Sequence, residues 1–521
     1  MKMLGNTQNS ESGIKNGFQR LCCRGVSICC FLIIAVCFYH AIGQTGYNPK
    51  VNGSYEEAVF FKTDSILVNI FWMAIYVCAV FLIVYILQKV SKNNEKLWNR
   101  WFVLFVMLIS GMMSLVWVMS LHEYPQGDQY EICVAAMQMN AGDYSSLQKG
   151  GYAAIYQQQL GIITVLRILF KLFGDMRWIV FQMLNAVFIP ILVYAGYRIT
   201  RILSEDNKVT EKIYLLMVVT FIPMYVYSGY VYGEIISTAL SMVGVWLFLE
   251  CYEHVKWYKL VGVGITLGIA VQLRENCIII VIAMVLVSII TTIRGEIKSS
   301  IALIASIVLG VALAWGIIHQ GIYAEYIGEN VESMPSSLHI AMGTNDDMEN
   351  AGYYNVYNWA TFAQCDYNAT EADKKAKQTL CEFAEKCADN PDYMIDFYTR
   401  KIVGQWNVPM LQSLPLNGKY DESRIGGIAK AMYSGNLGSY AQDFMNIWQQ
   451  VLYAAVALAL WKTVRKWEKI ELHVLPITII GGFLFSVLWE AKARYIFAYM
   501  LFLIPIAAVG LQTLLLQRRR K

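Results

Sequence analysis

Twelve apolar stretches, each near the 20 or so residues that a helix needs to cross a bilayer, dominate this chain and leave little of it for a soluble fold. They lie near 26 to 43, 66 to 88, 101 to 120, 178 to 200, 213 to 230, 232 to 252, 258 to 273, 276 to 293, 301 to 322, 447 to 463, 472 to 489 and 495 to 515. Inside lipid every backbone N–H and C=O must be bonded within its own segment, so stretches of this length form helices. The expected fold is therefore an all-α polytopic membrane protein with about twelve transmembrane helices. With 57% hydrophobic and 15% charged residues, the 521-residue chain has the composition of that class. Its net charge of +4 is small and its Lys and Arg residues stand between apolar runs. That pattern excludes nucleic acid as a partner and makes membrane lipid the surrounding one.

A thirteenth apolar run, from Leu160 to Phe173, is short and contains Arg167 and Lys171, which suits an interfacial or re-entrant helix. Charge decides the point, because short cytoplasmic loops carry the excess of Lys and Arg. With this run left out of the count, the termini and alternate loops hold 24 basic residues, the short external loops 9 and one long external loop another 9. Counting it as a span would put RITRIL, the KTVRKWEK loop and the terminal RRRK outside. Both termini are thus expected in the cytoplasm, with the stretch from Tyr124 to Gly161 on the outer face. In the N-terminal run, Phe38, Tyr39 and His40 stand in place of a small-residue cleavage site, and the run reads as a retained anchor.

The expected organisation is a two-span N-terminal extension (1–100), a seven-span core (101–322) with its first external loop at 121–177, an extracytoplasmic region (323–446) and a C-terminal three-span segment (447–521). In the extracytoplasmic region, Thr370 and Asp373 give a capping-box-like start to a helix whose Leu380, Phe383, Ala384 and Cys387 share one face. Pro391 opens a second helix. Cys365, Cys381 and Cys387 share this segment, where a disulfide is open if it faces an oxidising side. The twelve cysteines form no CxxC pair, and the six histidines show no metal spacing, so no metal site is expected. Sequons stand at Asn52 and Asn368.

The polar stretch YPQGDQYEICVAAMQMNAGDYSSLQKGGYAAIYQQQLG, from Tyr124 to Gly161, carries Asp128, Glu131, Asp143 and Lys149. Ile132, Ala135, Ala136 and Met139 follow the i, i+3, i+4, i+7 pattern of an amphipathic helix, with a stop at Asn140 to Gly142. Asp128 as N-cap and Glu131 at N3 form a capping pair, which accounts for both acids without any chemistry. Capping leaves Asp143, Lys149, Tyr152 and Tyr156 unexplained.

This order resembles the GT-C glycosyltransferases: an external loop with an acidic start, a short helix, Gly142-Asp143-Tyr144, a Tyr-Gln stretch, a short helix ending at Leu172-Phe173-Gly174, and then a full span. Protein O-mannosyltransferases and the aminoarabinose transferases of lipid A look nearest. The resemblance covers roughly Trp101 to Tyr323. It implies a GT-C-like core with external juxtamembrane helices and a mostly helical external domain. It also implies transfer of a sugar from a polyprenyl-phosphate donor to an envelope glycan, lipid or protein acceptor at the outer face of a cell membrane. Asp128 matches the family's catalytic position. The acidic pair of many relatives reads Asp128-Gln129 here, so one acid and no cofactor are expected.

A phosphate leaving group needs no general acid, and one carboxylate suffices to take the acceptor's proton, with inversion at the anomeric carbon. Hydrolysis of glycosides, by contrast, commonly uses two carboxyl groups. A carboxylate is a weak base, so placement must supply much of the rate. Cations near the outer surface would stabilise the phosphate. Lys149, Arg274 of QLREN, and Lys492 and Arg494 of WEAKARY are candidates, and the last segment resembles the family's late E-x-x-x-R-Y stretch (Glu490, Arg494, Tyr495). Snorkelling or contact with lipid head groups explains a cation at a span end equally well. Glu131, Asp143, Tyr156 and Glu234 are candidate substrate contacts, although a glutamate opening a helix is also favoured by the helix dipole. The aromatic stretch from Gly352 to Phe362 suits sugar stacking or loop packing. Lys401 and Trp406 suit either the lipid carrier or interfacial anchoring.

Two rivals stand beside this reading. An O-antigen-ligase or polymerase-like enzyme would depend on external Arg and His, and His339 fits it. A polysaccharide or lipid transporter would place ionisable residues in mid-membrane in two matching halves, a pattern the sequence lacks.

Overall fold

The computed structural model describes residues 2–51, 54–346, 350–417, 423–464 and 466–517. Asn52, Arg465 and the terminal RRRK lie outside these. Among the described residues, ten helices are long and apolar enough to cross a membrane. A bent pair, Lys208–Val219 with Ile222–Gly229, and the 17-residue helix Trp257–Leu273 account for the two remaining expected spans. The chain is an all-α polytopic membrane protein. One boundary differs from expectation: the tenth span is the helix Leu437–Thr463, which starts well before 447; the ninth ends close to its expected limit, in a π-helical stretch, Gly316–Tyr323.

The bend has a local cause. Pro223 lacks a backbone N–H and the two helices meet at 54°, freeing carbonyls that lipid cannot satisfy. Polar side chains supply the donors: at the bend, Tyr225 OH to Val219 O at 2.7 Å and Trp448 Nε1 to Met217 O at 3.2 Å, and where the pair ends, Gln182 to Gly229 O at 2.7 Å and Asn185 to Tyr230 O at 3.0 Å. The segment that follows, YSGYVYGE, is thereby fixed at the end of the bundle.

Leu160–Phe173 does not cross. It meets the preceding helical stretch at 97° and packs along the helix Asp128–Asn140. Leu160, Ile162, Ile163, Leu166 and Phe170 are buried, as are Ile132, Ala135, Ala136 and Met139 opposite. Arg167 is tied to the polar loop rather than exposed to lipid: its Nε donates to Asn140 Oδ1 at 3.3 Å and its guanidinium lies over the rings of Tyr144 and Tyr323. Geometry gives the same parity as charge. Two crossings, Trp178–Leu203 and the bent pair, separate Asp128 from Tyr230, and both residues line one cavity. A third crossing would have placed them at opposite ends.

The region between Tyr323 and Leu437 is mostly helical. Its stretch from Val408 to Asn417 is buried between the helices, with Leu411 and Leu414 almost wholly inaccessible. Tyr227 donates to Leu411 O at 2.6 Å, Tyr433 to Leu414 O at 2.7 Å and Gln129 Nε2 to Leu416 O at 2.8 Å. The helix Ala369–Asp389 is capped by Asn368, whose side chain accepts from Glu371 N, and not by Thr370; Asp373 instead pairs with Lys377. Its buried face is Ala372, Ala376 and Cys387, while Ala384 is exposed. Asn390 caps the next helix, which begins at Pro391 as expected. Cys365, Cys381 and Cys387 are free thiols.

Lys401 and Trp406 face neither lipid nor solvent. Lys401 Nζ donates to Gly343 O and Trp406 Nε1 to Ser486 Oγ at 3.2 Å, and both side chains are buried. An element without sequence warning is a pair of short antiparallel ladders after the first helix, Gln44–Tyr47 with Phe60–Thr63 and Lys50–Val51 with Ser54–Tyr55. Contacts far along the chain hold them: Gly46 N donates to Asn407 O and Tyr55 OH to Met432 O.

Candidate active site

Six inter-helical segments meet at one end of the bundle around a cavity of about 500 Å³. They are the ladder region after the first helix (Tyr55 and, in the loop beyond it, Glu57), the polar loop (Asp128, Tyr152, Tyr156), YVYGE (Tyr230, Tyr232), the QLREN turn (Arg274, Asn276), the long segment between Tyr323 and Leu437 (His339, Tyr354) and WEAKARY (Glu490, Lys492, Arg494, Tyr495).

Asp128 is the first residue of its helix, and its side chain caps nothing. Gly127, with φ +55°, takes the N-cap position without a side-chain bond, and Glu131 falls one place past N3. A residue with a Cβ would be strained at Gly127. The expected capping pair of Asp128 and Glu131 is therefore absent, because the Asp128 carboxylate turns across the cavity instead. Its Oδ2 lies 3.5 Å from Arg494 Nη2 and its Oδ1 is 3.5 Å from the Tyr152 hydroxyl. Gln129 is the bracket that sets this helix: Nε2 donates to Leu416 O and Oε1 accepts from Val231 N at 2.7 Å. A buried amide satisfied on both sides is what this position requires, which explains why no second acid stands beside Asp128.

Arg494 is buried, donates to the Tyr230 hydroxyl at 2.7 Å and lies against the rings of Tyr232 and Tyr495. Arg274 shares those two rings and pairs with Glu234 at 3.0 Å. Gly233 makes that approach possible, since a Cβ there would come within 2.1 Å of Leu273 O. Lys492 is nearly buried, 3.6 Å from Glu57 Oε2 and above the ring of Tyr354 at 4.5 Å. Although nearly half of the Glu57 side chain is exposed, its neighbours still partly desolvate the carboxylate, and the charges of Lys492 and Arg494 outweigh that, holding the carboxyl below its ordinary value. Glu490 is buried too, yet contact with His339 and the charge of Lys492 bring it down to about 2. His339 stacks on Trp489, with its Nδ1 3.2 Å from Asn358 Nδ2.

Of the residues singled out in the sequence, the structure brings Asp128, Tyr156, Arg274, Lys492 and Arg494 to the cavity wall, with Glu234 behind Arg274. Lys149, Glu131 and Asp143 are not in the lining. Lys149 pairs with Asp366 on the surface, Asp143 closes a turn on Ser145 N at 2.9 Å, and Glu131 is exposed. The aromatic stretch divides: Tyr354 lines the cavity and Phe362 packs in a core beneath it. Sequence reasoning missed Glu57, Tyr230 and Tyr232. The period-two spacing of the tyrosines in YVY, which puts both on one side of an extended segment, was a usable signal. Glu57 carried none. Among the described residues no group of three or more His, Cys, Asp and Glu stands close enough to hold a metal ion.

The model of a family described as conserved hypothetical integral membrane protein matches residues 20–379, more than half of the chain. The chain belongs to that family. Among solved structures it is similar to the oligosaccharyltransferase of Archaeoglobus fulgidus tethered to an acceptor peptide containing the NVT sequon, at 11% identity and a TM-score of 0.40 over 80% of this chain and 50% of that one. It is also similar to AglB from the same organism in complex with an inhibitory peptide and a dolichol-phosphate, at 12% identity and a TM-score of 0.39 over 80% and 51%. The chain thus spans about half the length of these structures. No curated protein matches it.

Proposed function

We propose that this family member is a membrane glycosyltransferase that moves a sugar from a polyprenyl-phosphate donor to an acceptor hydroxyl of the cell envelope, at the outer face of a cell membrane. The observation that carries the reading is the convergence, in one cavity, of a half-exposed carboxylate that opens a helix, Asp128, with two nearly buried cations, Lys492 and Arg494. Asp128 takes the acceptor's proton as the hydroxyl oxygen bonds to the anomeric carbon. The bond from that carbon to the phosphate oxygen breaks with its electron pair on the phosphate, and the configuration inverts. Lys492 and Arg494 stabilise the charge that develops there, Arg494 held in place by Tyr230. The tyrosine-rich walls give a sugar ring apolar faces and hydroxyls to meet. Cytoplasmic termini, which place the cavity outside, are supported by the basic loops at the opposite end.

His339 and Glu490 in the same cavity favour one second reading, a ligase- or polymerase-like enzyme that works from an external histidine. Transfer assays on Asp128→Asn and His339→Ala separate the two. The proposal expects loss in the first and retained turnover in the second, and the opposite pattern overturns it.

A further inference from the structure

Glu57 belongs to neither of the segments that carry the proposed chemistry, yet its carboxylate stands at the cation cluster. Oε2 lies 3.6 Å from Lys492 Nζ and accepts from the Tyr353 hydroxyl at 3.1 Å. Its backbone is held as firmly. Gln412 Nε2 donates to Glu57 O at 2.8 Å and to the Tyr353 hydroxyl at 3.1 Å, while Gln412 Oε1 accepts from Arg494 N. One buried amide thus connects the N-terminal ladders to the backbone of WEAKARY. Lys492 is 9% exposed and Glu57 46%, so the lysine is the fixed member of the pair and the glutamate faces open space. A phosphate that approaches Lys492 from the cavity meets an ammonium already paired with a carboxylate.

We propose that Glu57 is a resident counter-ion of the phosphate site, displaced from Lys492 by the phosphate of a polyprenyl-phosphate carrier and returning as that carrier leaves. The inference rests on the glycosyltransferase reading of the site and adds how the spent carrier is released. Two anions compete for one ammonium, so Glu57 weakens the hold on polyprenyl phosphate and speeds turnover. An exposed carboxylate partner is worth a modest factor, and removing it tightens carrier binding by about two- to fivefold.

The test measures binding of undecaprenyl phosphate, with undecaprenol as the phosphate-free control, to the full-length protein in detergent by native mass spectrometry. Glu57→Gln and Tyr353→Phe, which frees Glu57 without removing it, are both expected to bind undecaprenyl phosphate more tightly and undecaprenol as the wild type does. Glu57→Asp keeps the wild-type affinity. Glu56→Gln removes a charge from the same loop that forms no ion pair among the described residues, and is expected to change little. Damage to the fold loosens binding, so a gain in affinity is not a structural artefact. Unchanged or weaker binding in Glu57→Gln, or equal tightening in Glu56→Gln or towards undecaprenol, overturns the inference. A wild type that binds no undecaprenyl phosphate overturns instead the reading of the site on which it rests.

Discussion

Asp128 and Arg494 face each other across 3.5 Å, one opening a short helix after the third span and the other opening the last. Arg494 is also hydrogen-bonded to Tyr230 and flanked by two tyrosine rings. A planar guanidinium fits this setting and an ammonium does not. Arg494→Lys therefore keeps the charge and loses the geometry, and initial rates of transfer are expected to fall roughly 10- to 100-fold. A rate within twofold of the wild type would show that the charge alone matters.

Gln129 holds the other side of that contact. Gln129→Leu leaves Leu416 O and Val231 N without their partner, at a cost of about 1–3 kcal/mol. A lower melting temperature in detergent is expected, together with a loss of activity larger than the loss of folded protein, because the helix that carries Asp128 is released.

Much of this was legible in advance, for one physical reason: lipid forbids unpaired backbone, so long apolar runs become helices and their charged flanks order the ends. Leu160–Phe173 was separable from a span by Arg167 and Lys171. Asp128, Arg274, Lys492 and Arg494 were accessible as charges at the ends of spans. Their partners were not. Glu57 reaches Lys492 from a loop between ladder strands that distant segments hold in place, and the two partners of Gln129, Leu416 O and Val231 N, lie far along the chain. The misplaced caps at Asp128 and Thr370 have one origin. A glycine with positive φ or an upstream asparagine takes the cap, leaving Asp128 free for Arg494 and Asp373 for Lys377.

Sidedness is open to direct measurement. Cys381 is exposed on the helix Ala369–Asp389, in the region expected outside. In intact cells it should react with a membrane-impermeant maleimide, and Cys381→Ser should abolish most of that labelling. Labelling only after the membrane is opened would invert the topology.

Lys401 gives the fold a pH signature. Burial lowers its ammonium to about 7, with the charge of Glu490 pulling the other way. The folded value lies below the unfolded one of about 10.4, so the unfolded chain binds more protons between the two. Stability from this group therefore rises as pH increases from about 7 to about 10. Lys401→Met removes that slope, and the melting temperature of the wild type should gain on that of the variant across this window. Parallel curves would place the ammonium in an environment that solvates it fully.

The most direct test of the account is to incubate the purified protein with a panel of polyprenyl-phosphate sugars and acceptors and to measure released polyprenyl phosphate, with Asp128→Asn as the control. Release with at least one donor, reduced by about 10²-fold or more in the variant, is the predicted result. No release with any donor, combined with saturable lipid transport by the same protein, would contradict it.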